Sequence, residues 1–227
     1  MNIYFVVEGR RTEKRLYKKW ITYVHPNLEF VESITDLTEN CFTIISGGGI
    51  PNYYRVIKNS IRDINKFNNI DYLFICVDSE ELSYSKKLNE LEGFIEKECP
   101  SVNSVLVLII QNHCIETWLM GNKRLNLNSA QNQELREYRD FYNVNTSDPE
   151  NLTAIDHRTI AKFTVDYLEL MLREKGLSYS KSNVSDVNSK PYFNQLVKRF
   201  ENDNHIKSFG DFFQELKKIS TELPGSE

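Results

Sequence analysis

The stretch FVVEGRRTEKR, residues 5–15, decides how the rest of the chain is read. Ile3 to Val7 is one apolar run of β-branched and aromatic residues. Such a run predicts a strand covered on both faces, as in a parallel sheet. It ends in Glu8-Gly9 and turns basic at once. Thr12 is placed to cap a following helix, with Glu13 in the first turn, where the helix dipole favours an acid. Leu16, Trp20, Ile21 and Val24 then share one helical face. A buried strand delivers an acid to its tip, with positive charge directly behind it. The meaning of Glu8 depends on whether other acids meet it there.

The alternation repeats along the chain. Strands are expected over 42–45, 72–77 and 105–110, and helical stripes over 56–64 and 88–95, the latter stopped near Pro100. This βαβαβαβ order predicts an α/β fold, a mainly parallel sheet flanked by helices with right-handed crossovers. After residue 120 the texture becomes polar and rich in Asn, which predicts loops and one short helix. From Thr159 three stripes predict helices: Ile160 to Met171, Tyr192 to Phe200 and Phe209 to Ile219. Residues 178–190 are expected to form an exposed loop and residues 222–227 a frayed tail. The expected division is an α/β core over 1–122 and a C-terminal helical addition with polar loops over 123–227.

Bulk properties narrow the function. The net charge of −4 over 227 residues excludes a strongly basic nucleic-acid binder. Nucleic acid would need a local basic patch, a metal or a partner. The four cysteines, Cys41, Cys76, Cys99 and Cys114, form no CxxC pair, which argues against zinc. Cys76, inside an apolar run, is expected in the core. Residues 3–7 are too short for a signal peptide, and no stretch approaches a membrane span, so a cytoplasmic protein without membrane contact is expected.

Sites in open parallel sheets gather where strands end. Past the strands come Glu8-Gly9, then Ser46-Gly47-Gly48-Gly49, then Asp78-Ser79-Glu80-Glu81, then Gln111-Asn112-His113 with Glu116 close behind. Carboxylates gathered on one edge repel unless a cation neutralises them. Hard oxygen donors with few His or Cys point to Mg²⁺ or Mn²⁺. Plainer readings stand beside this: Glu8 as a solvated turn residue, and 78–81 as acids favoured at a helix N-terminus. Ser46–Gly49 lacks the Walker lysine and the dinucleotide fingerprint, so a plain turn is favoured over a phosphate cradle. His25, His113, His157 and His205 lack metal-site spacing, and Trp118 reads as core.

The motifs VVEGRRTE and YLFICVDSEE resemble a Toprim domain, in which a Glu follows the first strand and a D-x-D follows the third. More narrowly, the chain resembles Toprim nucleases of the OLD and RloB-like group of bacterial anti-phage systems. The matching positions are Glu8, Gly9, Thr12 and Glu13, then Asn112, Cys114, Glu116 and Trp118, then Tyr179 and Lys181. The resemblance implies a metal-dependent endonuclease acting on DNA or RNA, transfer RNA included. Asp78 and Glu80 would hold Mg²⁺ or Mn²⁺, with Glu8 as ligand or base. Glu116 would complete a second metal site or orient the first, and Lys181 would stabilise charge on the phosphate. It also implies a larger defence-system partner such as an ATPase. One departure is Glu80 where the family has Asp, and Glu81 is an alternative donor there. Two other readings remain open: a non-enzymatic nucleic-acid-binding or assembly module, and a Mg²⁺-dependent nucleotidyl- or phosphoryl-transfer enzyme.

Overall fold

The computed structural model describes residues 1–99, 101–125 and 130–221. The expected helix stop at Pro100 and the tail at 222–227 lie outside the described residues. The elements run β1 (Asn2–Val7), α1 (Thr12–Val24), β2 (Glu29–Phe30), β3 (Cys41–Ser46), α2 (Asn52–Phe67), β4 (Tyr72–Asp78), α3 (Tyr84–Glu98), β5 (Val105–Gln111), α4 (Ile115–Leu119), α5 (Gln133–Phe141), α6 (Ile160–Glu174), α7 (Lys190–Asp203) and α8 (Lys207–Thr221). Short 3-10 turns lie at Ile34–Asp36 and Pro149–Asn151.

The five strands form one all-parallel sheet in the order β2-β3-β1-β4-β5. The fold is α/β, as the alternation of apolar runs implies. All six residues of β1 are buried, which is why its sequence shows no period-2 polarity. The order of strands sets the position of the functional edge. From β1 the chain moves outward to β2 and β3, then returns through α2 to the other side, to β4 and β5. The direction reverses between β1 and β4, and such switch points open a crevice at the carboxyl ends of the strands. Right-handed crossovers put α1 on one face and α2 with α3 on the other. The latter two meet through Tyr54 and Phe94, whose ring centres lie 4.6 Å apart, and through Lys58 and Glu98 at 2.9 Å.

The chain forms two compact units. The first comprises Met1–Val77, Ser85–Ile110 and the chain from Gln214; the second comprises Asp78–Tyr84 and Gln111–Phe213. In the first, Phe5 stacks on Phe74 at 4.6 Å, and Leu16, Tyr17, Trp20 and Ile21 seat α1 in the core with no exposure. Cys76 is also fully buried, as expected. In the second, Trp118 is fully buried against the rings of Phe209 and Phe212. The buried Arg199 donates to the carbonyls of Val144, Asn145 and Ser147 and so fixes that turn. No helix among the described residues is long and apolar enough to cross a membrane.

Candidate active site

Register places the first two acids. β1 and β4 are neighbours with Val7 opposite Cys76. Glu8 therefore leaves β1 level with Val77, and Asp78 is the next residue and the last of β4. The strands behind them are pinned: the Tyr53 hydroxyl hydrogen is shared between the carbonyls of Val6 at 3.1 Å and Cys76 at 2.7 Å.

The glycines after β3 serve this edge by shaping it. Gly47 N–H donates to the Val7 carbonyl at 2.8 Å, and Gly48 and Gly49 donate to the Glu8 carbonyl at 3.0 and 3.3 Å. These amides complete the backbone around Glu8, so the turn is a brace and not a phosphate cradle. Gly48 and Gly49 take φ of +72° and +88°, where a side chain is strained. Gly47 is needed for space, because a Cβ there would sit 2.1 Å from the Tyr53 ring. Gly9 is held from both sides: its N–H donates to the Glu13 carboxylate, and its carbonyl accepts from Ser46 Oγ at 2.9 Å. Thr12 does not cap α1. Arg11 precedes the helix without a side-chain cap, and Glu13 reaches back to the Gly9 amide instead.

A polar group missed in the sequence lies near Glu8. The Tyr54 hydroxyl donates to the Glu90 carboxylate, and the Lys87 ammonium stands 3.6 Å from the same carboxylate. Burial first, then Glu90, then the negative charge of Glu8 push the Tyr54 phenol well up. Lys87 is only 4% exposed. A signal for it was present: Lys87, Leu91 and Ile95 fall four apart and are all buried, so a lysine occupies the apolar stripe of α3.

The second unit holds the other candidates. Beyond β4 and β5 the two tips are stitched together. Ser79 N–H donates to the Gln111 carbonyl and Glu80 N–H to the His113 carbonyl, both at 2.9 Å. His113 Nδ1 lies 2.8 Å from the Glu80 carbonyl. A carbonyl only accepts, so Nδ1 carries a proton and Nε2 is turned away from that bond. Glu80 has φ +52° and an exposed side chain. Glu81 Oε1 accepts from the Ile160 N–H at 2.6 Å, so it serves the N-terminus of α6. Glu116 sits in α4, whose five residues are all buried, and accepts from the Tyr179 hydroxyl at 2.6 Å. Burial, then Glu116, then Asp78 drive the Cys114 thiol up. Residues 178–190 are not simply an exposed loop: Tyr179, Val184 and Val187 are buried, while Lys181 faces outward.

A buried hub supports this tip. Ser208 Oγ accepts from Trp118 Nε1 at 2.6 Å and from Asn112 N–H at 3.2 Å, and donates to Glu150 Oε1 at 2.5 Å. Burial raises the Glu150 carboxyl to about 7 against the lowering effect of the Ser208 bond.

Glu8 thus leaves β1 level with Val77 of β4 in the first unit, while Asp78, Glu80 and Glu116 belong to the second. Glu80 and Lys181 lie on exposed backbone turns. Among the described residues, no group of three or more His, Cys, Asp or Glu is arranged to hold a metal ion. Mg²⁺ is ordinarily held by one or two carboxylates, with water and substrate phosphate filling the other positions. Glu8 and Asp78 are hard oxygen donors of the kind that Mg²⁺ takes. In comparisons with known proteins, no family model, curated protein or solved structure matches the chain.

Proposed function

We propose that this chain is a metal-dependent nuclease working at the switch point of its sheet. The observation that carries the reading is the β1–β4 pairing, which ends its two strands in Glu8 and Asp78 at the edge where open α/β sheets bind ligands. Mg²⁺ or Mn²⁺ would be held by Glu8 and Asp78, with Glu80 reaching in from its exposed turn. When bound, such an ion acidifies a water and stabilises charge on a phosphodiester. Glu8 acts as a ligand or accepts the proton from the attacking water. His113 Nε2, its ring set by the Glu80 carbonyl beyond β4 and β5, would be a second proton acceptor. Glu116 is a positioning residue, held by Tyr179. Lys181, on the same segment as Tyr179, supplies a cation for the phosphate.

The substrate is DNA or RNA, transfer RNA included, and the setting is a cytoplasmic anti-phage effector working with a larger partner such as an ATPase. The motifs around Glu8, Asp78 and Asn112 to Trp118 support that setting. The nucleotide-transfer reading is less well supported, because the glycine amides that would cradle a diphosphate already serve Val7 and Glu8. The test is incubation of purified protein with a DNA oligonucleotide and with total transfer RNA, in Mg²⁺ or Mn²⁺ and without nucleotide. Metal-dependent cleavage is expected. Binding without cleavage in either metal would support the non-enzymatic reading, and cleavage only with added nucleotide would support the transfer reading.

A further inference from the structure

The strongest charge asymmetry in the chain lies on α1. Residues 10–19 hold six cations, Arg10, Arg11, Lys14, Arg15, Lys18 and Lys19, and one acid, Glu13, a net charge of +5. The whole chain carries −4, so the remainder carries −9. The acid is turned inward: Glu13 is 3% exposed and takes the Gly9 amide. The cations are turned outward. Arg10, Arg11, Arg15 and Lys19 are exposed, and Lys14 and Lys18 are half-exposed.

Spacing makes this a track. Arg11, Arg15 and Lys19 fall four apart on one face of the helix, covering about 12 Å of its length at 1.5 Å per residue. The opposite face, Leu16, Tyr17, Trp20 and Ile21, is fully buried, so the helix cannot roll. Lys14 and Lys18 flank the track and are held on their side, Lys14 by Glu32 at 2.8 Å and Lys18 over the Phe30 ring at 3.5 Å. At the N-terminal end, Arg10 lies against Gly48, in the turn that braces Glu8. A polyanion lying along α1 is thereby led to the strand end that carries Glu8.

We infer that the exposed face of α1 binds the phosphate backbone of a nucleic acid, with Arg11, Arg15 and Lys19 as the phosphate contacts. The inference deepens the nuclease reading by naming where the substrate strand lies, but binding is measured separately from cutting. The experiment is fluorescence anisotropy of the full chain with a labelled 20-nucleotide single strand and a 20-base-pair duplex, in a chelator, over a range of KCl concentrations. The test variant is Arg11→Gln/Arg15→Gln/Lys19→Gln. The control is Arg62→Gln/Lys66→Gln/Lys97→Gln, which removes the same charge from exposed sites on α2 and α3. Each lost contact lowers the salt slope of log K by about 0.7 on a single strand and about 0.9 on a duplex. The test variant should therefore lose about 2 to 3 from the slope and about a hundredfold in affinity near 0.1 M salt. The control should stay within about threefold, since exposed charges far from the ligand are screened beyond a Debye length. Equal weakening in both variants would overturn the inference, as would no binding by the wild type. Capture of phosphatidylserine vesicles by α1 with no binding of either oligonucleotide would also overturn it and identify a lipid surface instead. Glu8→Gln should keep full binding while losing cleavage. If it binds fully and still cleaves, the catalytic reading falls and the binding face stands.

Discussion

The two strand tips that carry acids are built in opposite ways. The Glu8 tip is made mostly of backbone: glycine amides from the turn after β3 close on the Val7 and Glu8 carbonyls, and Glu13 ties down Gly9 four residues away. The tip bearing Asp78 and Glu116 adds to its backbone bonds a set of side chains drawn from distant sequence. Tyr179 donates to Glu116 across 63 positions, and Ser208 joins Asn112, Trp118 and Glu150. A backbone-built tip tolerates change in its side chains but none in its glycines. A tip built of side chains is vulnerable to single-atom changes and to pH.

The largest expected effect tests the first half of that contrast. Gly47→Ala puts a Cβ 2.1 Å from the Tyr53 ring and 3.0 Å from the Tyr53 backbone. It should cost about 3 kcal/mol, the upper end for overpacking, read by urea denaturation. A loss below about 0.5 kcal/mol, the scale of neutral surface changes, would show that the turn yields and that the tip is not a rigid brace.

Glu150 tests the second half. Its carboxyl is raised to about 7 from 4.5, so folding favours the protonated form. Its stabilisation is complete below pH 4.5 and is lost as pH rises through 7, amounting to about 3 kcal/mol by linkage. Glu150→Gln keeps an acceptor for Ser208 and does not ionise. Its melting temperature should match the wild type near pH 4.5 and exceed it by several degrees at pH 8. Parallel curves for the two proteins across that range would mean that Glu150 does not titrate with the hub.

A smaller effect is expected at Tyr179. Tyr179→Phe removes the hydroxyl that donates to the buried Glu116 carboxylate. The loss should be about 2 kcal/mol, typical of a hydrogen bond to a charged group. If Glu116 positions the site, cleavage should also fall with little change in nucleic-acid affinity. Unchanged stability together with unchanged cleavage would remove Glu116 and Tyr179 from the account.

The same contrast explains what the sequence made legible. β1, β3, β4 and β5 announced themselves because strands buried on both faces are uninterrupted apolar runs. β2 did not, because two residues, Glu29 and Phe30, make no pattern. Glu8 and Asp78 were legible as acids that close apolar strand runs. The Thr12 cap was misread because the helix already begins at Thr12, which leaves Arg11 in the capping position without a side-chain bond. Lys87 was hidden by its type: a lysine on an apolar stripe looks like an interruption until the fold buries its stem. Tyr179 lay in a motif, but its partner Glu116 is fixed only by tertiary packing, as are the Ser208 hub and the use of Glu81 at α6.

The central claim is that the acids at the β1–β4 switch point carry the chemistry. It is tested most directly by Mg²⁺-dependent cleavage rates of the wild type, Glu8→Gln and Asp78→Asn on one oligonucleotide under single-turnover conditions. Each substitution keeps size and removes one negative charge. The account predicts a fall of at least about 10²-fold for each, the lower end of what general acid–base catalysis supplies, with binding in chelator retained. Rates within about threefold of the wild type for both variants would contradict it.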